Sequence, residues 1–459
     1  MKIAIVGGGI SGLSLAWYLI QTGKADPVVL EAADRPGGKI RTEKAGGYLC
    51  EWGVNGFLDN RPRTIEAAKG LGLEVMRSSD SSRGRFVFLR GGLKQLPEGP
   101  KAFLASRVLG PAGKMRIMLE PFIPAGGEDD ETLARFAIRR LGRQAYENLI
   151  DPMASGIFAG DPEKMSVQSC FPKIKAMERK YGSLIKAMIS LGRQARKAGK
   201  GAKTVGAGPG GVLSSFSGGM EELIVALKAV LGGRLVTGFR ADGIERVLPA
   251  GGYRVHGENG GLIEADRVVL ACPAYEAARI AREFDKDLSR LVAGISYPPV
   301  SVVSIGFARE KLRFSMDAYG FLVPFKEGRK VLGVLYDSSV FPERAPEGHV
   351  LLRVMVGGAR AASLAMFDDE KLLALVMGEL RDMLGLNAEP DLVRIFRHEK
   401  AIPQYPPGHA ERLERIEAAL AAHPGLFITG NAYRGISLND CIENSFTLAQ
   451  RMAAPRRGL

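Results

Sequence analysis

The chain has 459 residues, of which 46% are hydrophobic and 25% are charged, and its formal net charge is +13. This length predicts two or three domains, and the hydrophobic content is typical of a globular protein with a sizeable core. A membrane-spanning helix needs roughly 20 consecutive apolar residues; the sequence holds no such stretch, so we expect no transmembrane helix.

The first elements of the chain are a strand, a glycine turn and a helix. Residues 2–6 predict a buried strand, Gly7–Gly12 follows at once, and residues 13–19 continue as a helix. A second apolar strand at 27–30 ends in Glu31. These elements, in this order, make the dinucleotide-binding fingerprint in its usual structural context. The alternative is a βαβ unit that binds nothing.

Each glycine of this turn has a separate expected task. Gly7 permits the tight turn, Gly9 lets the backbone approach a pyrophosphate, and Gly12 lets helix and strand pack closely. The helix N-terminus offers N–H groups and a partial positive charge to the phosphates. Glu31 lies nineteen residues after Gly12, where an acid can bind a ribose 2′-hydroxyl.

Residues 101–206 predict a helical, basic insertion. Asp129 or Asp130 is the expected N-cap of a helix near 131–138. Residues 171–205 hold one acid, Glu178, against ten lysines and arginines: Lys173, Lys175, Arg179, Lys180, Lys186, Arg193, Arg196, Lys197, Lys200 and Lys203. Residues 198–211, rich in glycine and lysine, predict a mobile loop.

This concentration of positive charge attracts anions. No nucleic-acid-binding motif accompanies it, so we expect no nucleic-acid partner. Apolar residues between 103 and 123 alternate with bases such as Lys101, Arg107 and Lys114. That pattern suits a helix lying in an anionic lipid interface. A solvated basic face on a helical subdomain is the alternative.

The second half of the chain predicts two sheets. Strands are expected at 234–237, 252–256, 267–272, 300–307, 320–324, 331–336 and 350–356, with a helix at 368–386. The end returns to the pattern of a nucleotide site, because residues 425–431 predict a strand and a glycine turn and 436–452 a helix. The middle of the chain is therefore inserted into a nucleotide-binding domain. This favours FAD over NAD, because FAD is long and a second part of the chain must reach its isoalloxazine end.

We therefore predict an α/β fold with three parts. They are a Rossmann-like FAD-binding domain (1–65, 207–295 and 408–459), a mixed-sheet substrate domain (66–100 and 296–407) and a helical, membrane-facing insertion (101–206). The four cysteines, Cys50, Cys170, Cys272 and Cys441, are scattered without a CxxC pair, which is typical of reduced thiols in the cytosol. The five histidines lack metal-ligand spacing, so we expect no metal. Because the chain opens on a strand, we expect no targeting peptide.

Short motifs beyond the glycine turn narrow the class of flavoprotein. Residues 34–42 and 51–57 resemble, respectively, the second glycine motif of amine-oxidase-like flavoproteins, near the flavin phosphates, and the loop that passes their flavin ring. Six further stretches resemble the protoporphyrinogen oxidases of that superfamily: 155–166, 214–219, 321–324, 356–360, 402–405 and 430–442. Each motif is weak alone, but their order from residue 2 to about 452 is specific.

The resemblance implies an FAD enzyme of haem biosynthesis that removes six electrons from protoporphyrinogen IX in three two-electron steps. Each step would pass a hydride to the flavin, and O2 would reoxidise the flavin to give H2O2. The cofactor carries the redox chemistry and the protein orients the substrate, so we expect no catalytic acid or base. The implied enzyme is cytoplasmic and peripherally membrane-associated, and a chelatase is a candidate partner for its product.

The resemblance also assigns residues. It places FAD on Gly7, Gly8, Gly9, Ile10, Ser11, Gly12, Glu31, Ala32, Lys39, Gly53, Val54, Asn55, Gly56, Ala241 (through its backbone), Ile436, Ser437 and Leu438. It places the substrate on Arg85, Gly156, Gly160, Leu322, Leu335 and Met355.

The substrate residues suit an apolar macrocycle with propionates on one edge. A guanidinium such as that of Arg85 can hold a carboxylate bidentately, although Arg83 or Arg90 could take that role. By resemblance, Leu322 and Leu335 would sandwich a pyrrole ring, and Met355 occupies a position where some relatives carry Phe. Ordinary core packing is the alternative for these apolar residues. Gly156 and Gly160 would form a backbone turn over the macrocycle, where a side chain would crowd the reacting carbon.

Two positions depart from the family pattern, and several readings stay open. His398 stands where relatives often carry Trp, and Asn431 stands where the wider superfamily often has an acid. Coproporphyrinogen III oxidase shares the fold and the flavin, but its substrate has four propionates and predicts more bases in the pocket. Amine oxidases and carotenoid desaturases are more distant alternatives. A lipid carrier similar to GDP-dissociation inhibitors, which keep the fold without FAD, is the non-enzymatic one.

Overall fold

The computed structural model describes residues 1–126, 129–197, 211–247 and 251–454. The loop predicted at 198–211 lies outside the described residues except for its last residue. The strands, in chain order, are β1 Lys2–Val6, β2 Asp26–Leu30, β3 Thr42–Ala45, β4 Tyr48–Glu51, β5 Phe57–Leu58, β6 Met76–Arg77, β7 Arg85–Leu89, β8 Gly92–Gln95, β9 Leu213–Ser215, β10 Leu235–Val236, β11 Ala241–Arg246, β12 Tyr253–Gly257, β13 Leu262–Ala265, β14 Arg267–Leu270, β15 Val300–Ala308, β16 Gly320–Leu322, β17 Gly333–Tyr336, β18 His349–Gly357, β19 Leu392–His398 and β20 Leu426–Ile428.

The α-helices follow in the same order. They are α1 Ile10–Gln21, α2 Pro62–Gly70, α3 Pro100–Ala105, α4 Pro111–Met118, α5 Leu133–Leu141, α6 Arg143–Ala145, α7 Asp151–Phe158, α8 Val167–Cys170, α9 Pro172–Tyr181, α10 Leu184–Lys197, α11 Glu221–Leu231, α12 Ala274–Ala281, α13 Lys286–Ala293, α14 Asp337–Val340, α15 Ala362–Ala365, α16 Asp369–Leu384, α17 His409–Ala421 and α18 Leu438–Ala453. A π-helical segment, Tyr146–Ile150, joins α6 to α7.

A parallel sheet with the order β10-β2-β1-β14-β20 unites the two ends of the chain. Alternate residues of β1 enter different cores: Ile3 and Ile5 pack with α1, α11 and α18, whereas Ala4 and Val6 pack with α12, α13 and α17. Burial on both faces explains why the strand reads as a continuous apolar run. The predicted fold class, an α/β chain with a Rossmann-like domain, is confirmed. The three-part division of the chain stays a prediction.

A mixed sheet with the order β19-β15-β18-β17-β16-β7-β8 forms the second layer. Its register places residues far apart in sequence in rows across the strands. One row contains Phe86, Phe321, Val334, Val354, Val303 and Ile395. This row packs on the apolar side of α16. The rows on either side of it therefore form the opposite face of the sheet.

The insertion between β8 and β9 is helical, as predicted, but its interior is charged. Glu120 and Arg140 are both 0% exposed and form an ion pair. We call the following residues the insertion cluster: Glu120, Glu131, Arg139, Arg140, Lys175 and Glu178.

Two expectations for this region are wrong. Lys175 does not belong to a basic surface patch, because it is 5% exposed and lies 2.9 Å from Glu131. Thr132, and neither Asp129 nor Asp130, caps α5 by accepting a hydrogen bond from the Arg135 N–H. Within the described residues, no helix combines the length and the apolar character that crossing a membrane would require.

Candidate functional site

The glycine turn after β1 has close backbone contacts at Gly7 and Gly12 and open space at Gly9. Gly7 has φ +115°, and a Cβ there would lie 2.8 Å from the backbone nitrogen of Cys272. A Cβ on Gly12 would lie 2.0 Å from the carbonyl oxygen of Gly7. A Cβ on Gly9, by contrast, would meet nothing within 4 Å.

The start of α1 suits an anion. Gly9 is its N-cap, no side chain caps the helix, and its first turn carries no acid. The N–H groups at such an end, with the positive end of the helix dipole, attract phosphate. Ile10 and Ser11, the first helical residues, share this position. The turn therefore fits the pyrophosphate of a dinucleotide cofactor.

Glu31 lies beside the same turn. Its Oε2 accepts the Gly8 N–H at 2.7 Å and its Oε1 accepts the Ala33 N–H at 2.9 Å. A carboxylate has about four acceptor positions, so room for ribose hydroxyls remains, with exposed Ala32 alongside. The Phe239 N–H donates to the Glu31 carbonyl oxygen, which brings the start of β11, and hence Ala241, to this end of the site. The carbonyl of Ala241 already accepts a bond from Arg279 at 2.5 Å.

Lys39 follows two glycines that approach the turn, because the Gly37 N–H donates to the Gly8 carbonyl at 2.7 Å. Its ammonium donates to the carbonyl oxygens of Lys400, at 2.6 Å, and Ala401. Burial lowers the pKa of Lys39 to about 8. The Lys39 ammonium thus contacts residues 400–401 in this structure. Its expected position near the flavin phosphates stays a prediction.

The loop 52–56 is clamped between several elements. A Cβ on Gly53 would lie 2.7 Å from the Lys39 carbonyl, and one on Gly56 would lie 2.6 Å from the Ser214 carbonyl. Asn55 Nδ2 donates to Asp337 at 3.1 Å. Val54 packs partly against the core of the parallel sheet. Backbone so close on both sides explains the two glycines.

The last glycine turn leads into α18. Ser437 caps this helix in a reciprocal capping box with Asp440, so both its hydroxyl and its backbone N–H are already bonded to the Asp440 carboxylate. Leu438 is buried in the core of the parallel sheet, and Ile436 packs partly against the small apolar cluster of the insertion. Ser445 donates to the Ser11 carbonyl at 2.9 Å, which sets α18 beside α1. The N-terminal helix and the C-terminal helix thus lie side by side at the site.

The predicted substrate residues share the face of the mixed sheet that lies opposite α16. One row there is Arg85, Gly320, Leu335, Arg353, Ser304 and Arg394, and the next is Val87, Leu322, Gly333, Met355, Val302 and Phe396. Leu322, Leu335 and Met355 are half-buried, whereas Arg85 is exposed and its guanidinium lies 5.6 Å from the centre of the Tyr319 ring. Four of the six predicted positions thus lie on one surface.

The two predicted glycines have different surroundings. A Cβ on Gly156, in α7, would lie 2.6 Å from Cδ2 of Leu322, so the insertion meets the sheet face at this point. A Cβ on Gly160 would instead meet Gln404 and the sulfur of Met165. The structure brings Gly156 to the other substrate positions and seats Gly160 against Gln404 and Met165.

Sequence reasoning missed three polar residues here. Asp337 is fully buried and Arg353 is 3% exposed; Arg353 Nη2 donates to the Gly53 carbonyl. Tyr319 stacks under Arg85, and burial raises the pKa of its phenol. A signal for one of them existed, because Arg353 precedes Met355 by two residues in β18. In strands, that spacing places side chains on one face.

The two departures from the family pattern also lie near the site. His398 donates from Nε2 to the Trp52 carbonyl at 2.9 Å, beside the loop 52–56. Burial lowers the pKa of His398, so this imidazole is neutral at pH 7. The carbonyl of Asn431 accepts the Tyr405 hydroxyl.

Comparison with known proteins supplies a family and relatives. The sequence pattern described as "Flavin containing amine oxidoreductase" matches residues 10–453. The chain is 30% identical to the coproporphyrinogen III oxidase of Bacillus subtilis (strain 168), covering 96% of this chain and 95% of that protein. It is 32% identical to the chloroplastic protoporphyrinogen oxidase of Oryza sativa subsp. japonica, covering 98% and 87%.

A solved structure resembles the whole chain. The "Putative protoporphyrinogen oxidase" of Exiguobacterium sp. 255-15 superposes with a TM-score of 0.83 at 27% identity, over 98% of each chain. Reduced UDP-galactopyranose mutase, at 17% identity, superposes with a TM-score of 0.73, a likeness of fold alone.

Proposed function

The chain belongs to the family of flavin-containing amine oxidoreductases and uses FAD, and from this premise we propose that it oxidises protoporphyrinogen IX to protoporphyrin IX in haem biosynthesis. FAD, when bound, supplies the acceptor for the hydride equivalents of the substrate. The chain's own residues bind the macrocycle, orient it and exclude water. We expect O2 to be the final acceptor.

The observation that carries this proposal is the composition of the sheet face. Leu322, Leu335 and Met355 present a half-buried apolar surface, and Gly156 faces it from α7. The exposed Arg85 stands at one end of the row. An apolar slot with a cation at its edge suits an apolar macrocycle that carries carboxylates on one edge.

Protoporphyrinogen is favoured over coproporphyrinogen by the number of available cations. Of the three arginines in the two rows, Arg353 is bonded to the Gly53 carbonyl and Arg394 is paired with Glu43 at 2.7 Å. Arg85 remains for the substrate. A substrate with four propionates around its ring would need bases on more than one side, so it is the second candidate, supported by the relatives of that name.

An aerobic fluorescence assay of the purified protein tests the proposal, with the two porphyrinogens offered separately. Both products fluoresce and both substrates do not. Faster turnover of protoporphyrinogen IX is expected; faster turnover of coproporphyrinogen III would establish the second candidate. A yellow protein that oxidises neither would refute both, and amines and polyenes would be tried next. A colourless protein would contain no FAD and would favour the alternative hypothesis of a lipid carrier.

Substitutions at two glycines test whether the substrate binds on this sheet face. Gly156→Ala would push Leu322 into the slot and should lower kcat/KM without releasing FAD. Gly378→Ala is the matched control: Gly378 is also helical, but it lies in α16 behind the sheet and a Cβ there meets nothing within 4 Å. Equal activity of the two variants would remove Gly156 from the slot.

We further propose that the insertion docks on an anionic membrane surface. Neither α3 nor α4 contains a buried residue. Phe122 is 81% exposed, and Leu104, Met115 and Met118 are each more than half exposed. Exposed apolar groups interleaved with bases are the pattern of interfacial binding.

Vesicle sedimentation tests this docking. The protein should pellet with vesicles that contain phosphatidylglycerol at low salt, and Phe122→Asp should weaken the binding. Val225→Asp is the control, because Val225 is 61% exposed on α11, outside the insertion. Failure to pellet, or equal effects of both substitutions, would refute the docking.

A further inference from the structure

Four charged side chains are buried directly behind the loop 52–56. Glu51, Asp337 and Arg344 are 0% exposed and Arg353 is 3% exposed; we call them the loop cluster. Glu51 ends β4, Asp337 follows β17, and Arg353 belongs to β18. Arg344 pairs with Glu51 at 3.2 Å. Two acids and two bases balance, and balance of this kind is what makes buried charge tolerable.

The loop cluster holds the loop at two points. Arg353 donates to the Gly53 carbonyl, and Asp337 Oδ1 accepts from Asn55 Nδ2. Arg353 pairs with Leu335 across the sheet, and Asp337 begins α14 directly after β17. Arg353 therefore lies in the row of the sheet face that carries Leu335, and Asp337 lies at the end of the strand that contributes Leu335.

Several polar atoms of this region have no partner. Among the described residues, Asn55 Oδ1, Asp337 Oδ2, Arg353 Nε and two nitrogens of Arg344 are buried without a hydrogen bond. Most buried polar atoms in proteins are paired, and each exception needs a reason. An ionised carboxylate only accepts hydrogen bonds, so Asp337 selects the orientation of the Asn55 amide in which nitrogen faces the carboxylate. The amide oxygen is then directed away from Asp337, and it is buried without a hydrogen bond of its own.

We propose that Asp337 is a positioning residue, and that it fixes the Asn55 amide so that Asn55 Oδ1 accepts a pyrrole N–H of the bound porphyrinogen. This rests on the proposed function. The bond would set the height and tilt of the macrocycle above the loop, and small errors of this kind lower the rate of the chemical step far more than binding. Arg353 supports the same arrangement by holding Gly53.

Anaerobic stopped-flow reduction and steady-state kinetics test this with Asp337→Ala, Asn55→Ala and the double variant. Each single substitution should slow reduction of the flavin at saturating substrate about tenfold or more, which is the cost of losing a hydrogen bond of this class, and leave KM nearly unchanged. The double variant should be no slower than Asn55→Ala. Effects that multiply, or a KM change without a rate change, would overturn the proposal.

Further variants keep the test decisive. Asp337→Asn preserves the shape of the side chain and can still accept from Asn55, so it should be faster than Asp337→Ala; if Asp337→Ala does not fold, Asp337→Asn must still be slower than wild type. Glu379→Gln is the matched control, because Glu379 is a buried acid on α16, behind the sheet. It should not change the rate.

A measurement without substrate separates this proposal from the proposed function. Hydrogen exchange at residues 52–58 of the FAD-loaded protein should quicken in Asp337→Ala and not in Glu379→Gln. If wild type oxidises no porphyrinogen but this loosening occurs, the proposed function fails while Asp337 still holds the loop. Unchanged exchange in Asp337→Ala would refute the positioning itself.

Discussion

The insertion cluster and the loop cluster are both groups of buried acids and bases, but they differ in how many of their polar atoms have hydrogen-bond partners. In the insertion cluster every carboxylate oxygen accepts at least one hydrogen bond or ion pair; Glu120 alone accepts from Arg140, Ser183 and two backbone N–H groups. In the loop cluster, Asp337 Oδ2 and three arginine nitrogens have no hydrogen-bond partner among the described residues, against a single nitrogen, Arg140 Nε, in the insertion cluster.

The acidities of the carboxyl groups follow this difference. Burial works to raise the pKa of Glu120, but the bonds from Ser183 and the backbone outweigh it, and the pKa is lowered. Burial prevails in the loop cluster: it raises the pKa of Glu51 to about 7 and also raises that of Asp337. A cluster whose carboxylates are all bonded serves stability, whereas a cluster beside a site with an unbonded carboxylate oxygen keeps capacity for a ligand.

The largest expected effect is in the insertion cluster. Arg140→Met leaves Glu120 buried without its cation, and breaking a buried pair costs about 3–5 kcal/mol of unfolding free energy. Urea unfolding measures it. Arg179→Met is the control, since Arg179 and Asp129 form an exposed pair of the kind worth at most about 1 kcal/mol. A loss for Arg140→Met as small as the control's would mean that the insertion cluster does not hold the insertion together.

An arginine-to-methionine substitution in the loop cluster should lower the unfolding free energy less than Arg140→Met does, and it should lower the enzymatic rate. Arg353→Met should lower the unfolding free energy by about 2 kcal/mol, because Asp337, whose pKa burial already raises, can take up a proton instead of staying an unpaired ion. The rate of flavin reduction should fall because Gly53 loses its anchor. Equal stability losses for Arg353→Met and Arg140→Met would erase the contrast between the two clusters.

The pH dependence of the unfolding free energy tests the environment of Lys39, which lies beside the candidate site. Its pKa in the folded protein is about 8 because of burial, below its value near 10.5 in an unfolded chain. The folded state therefore loses this proton first, and stability rises as pH increases from about 8 to about 10.5. The unfolding free energy of wild type relative to Lys39→Met should grow by about 3 kcal/mol over that range, because each unit of pKa difference corresponds to about 1.4 kcal/mol. A flat difference would mean that folding does not lower this pKa, which is the result expected if the ammonium lies beside negative flavin phosphates.

The features predictable from sequence are those carried by neighbouring residues. The glycine turn, the helix after it and the return to a strand and helix at 426–453 each produce a local pattern. Because β1 is buried on both faces, residues 3–6 form a continuous apolar run, which predicts a buried strand directly from the sequence. Leu322, Leu335 and Met355 could be named through family resemblance, which also carries information about distant parts of the chain.

The features that escaped prediction depend on register and on distant pairs. Arg85 meets Gly320 across the mixed sheet, and no local pattern shows which strand lies beside which. Lys175 reads as one base in a basic run, and only the fold brings Glu131 to it. Asp337 has no apolar or glycine pattern around it that indicates a site; its importance follows from burial and from Asn55, 282 residues away.

The smallest expected effect concerns the exposed end of the sheet face, where Arg85 is exposed and forms no ion pair with any residue that the structure describes. Arg85→Ala should raise KM for protoporphyrinogen IX about tenfold, equal to about 1.4 kcal/mol, with kcat and FAD content nearly unchanged, because an exposed guanidinium contributes to binding and not to the chemical step. Arg83→Ala is the matched control, since Arg83 is exposed and paired with Asp80 at 2.5 Å. An unchanged KM for Arg85→Ala would remove it from the site. If Arg83→Ala raised KM instead, the propionate anchor would lie two residues earlier and the substrate would enter from outside the row that Arg85 begins.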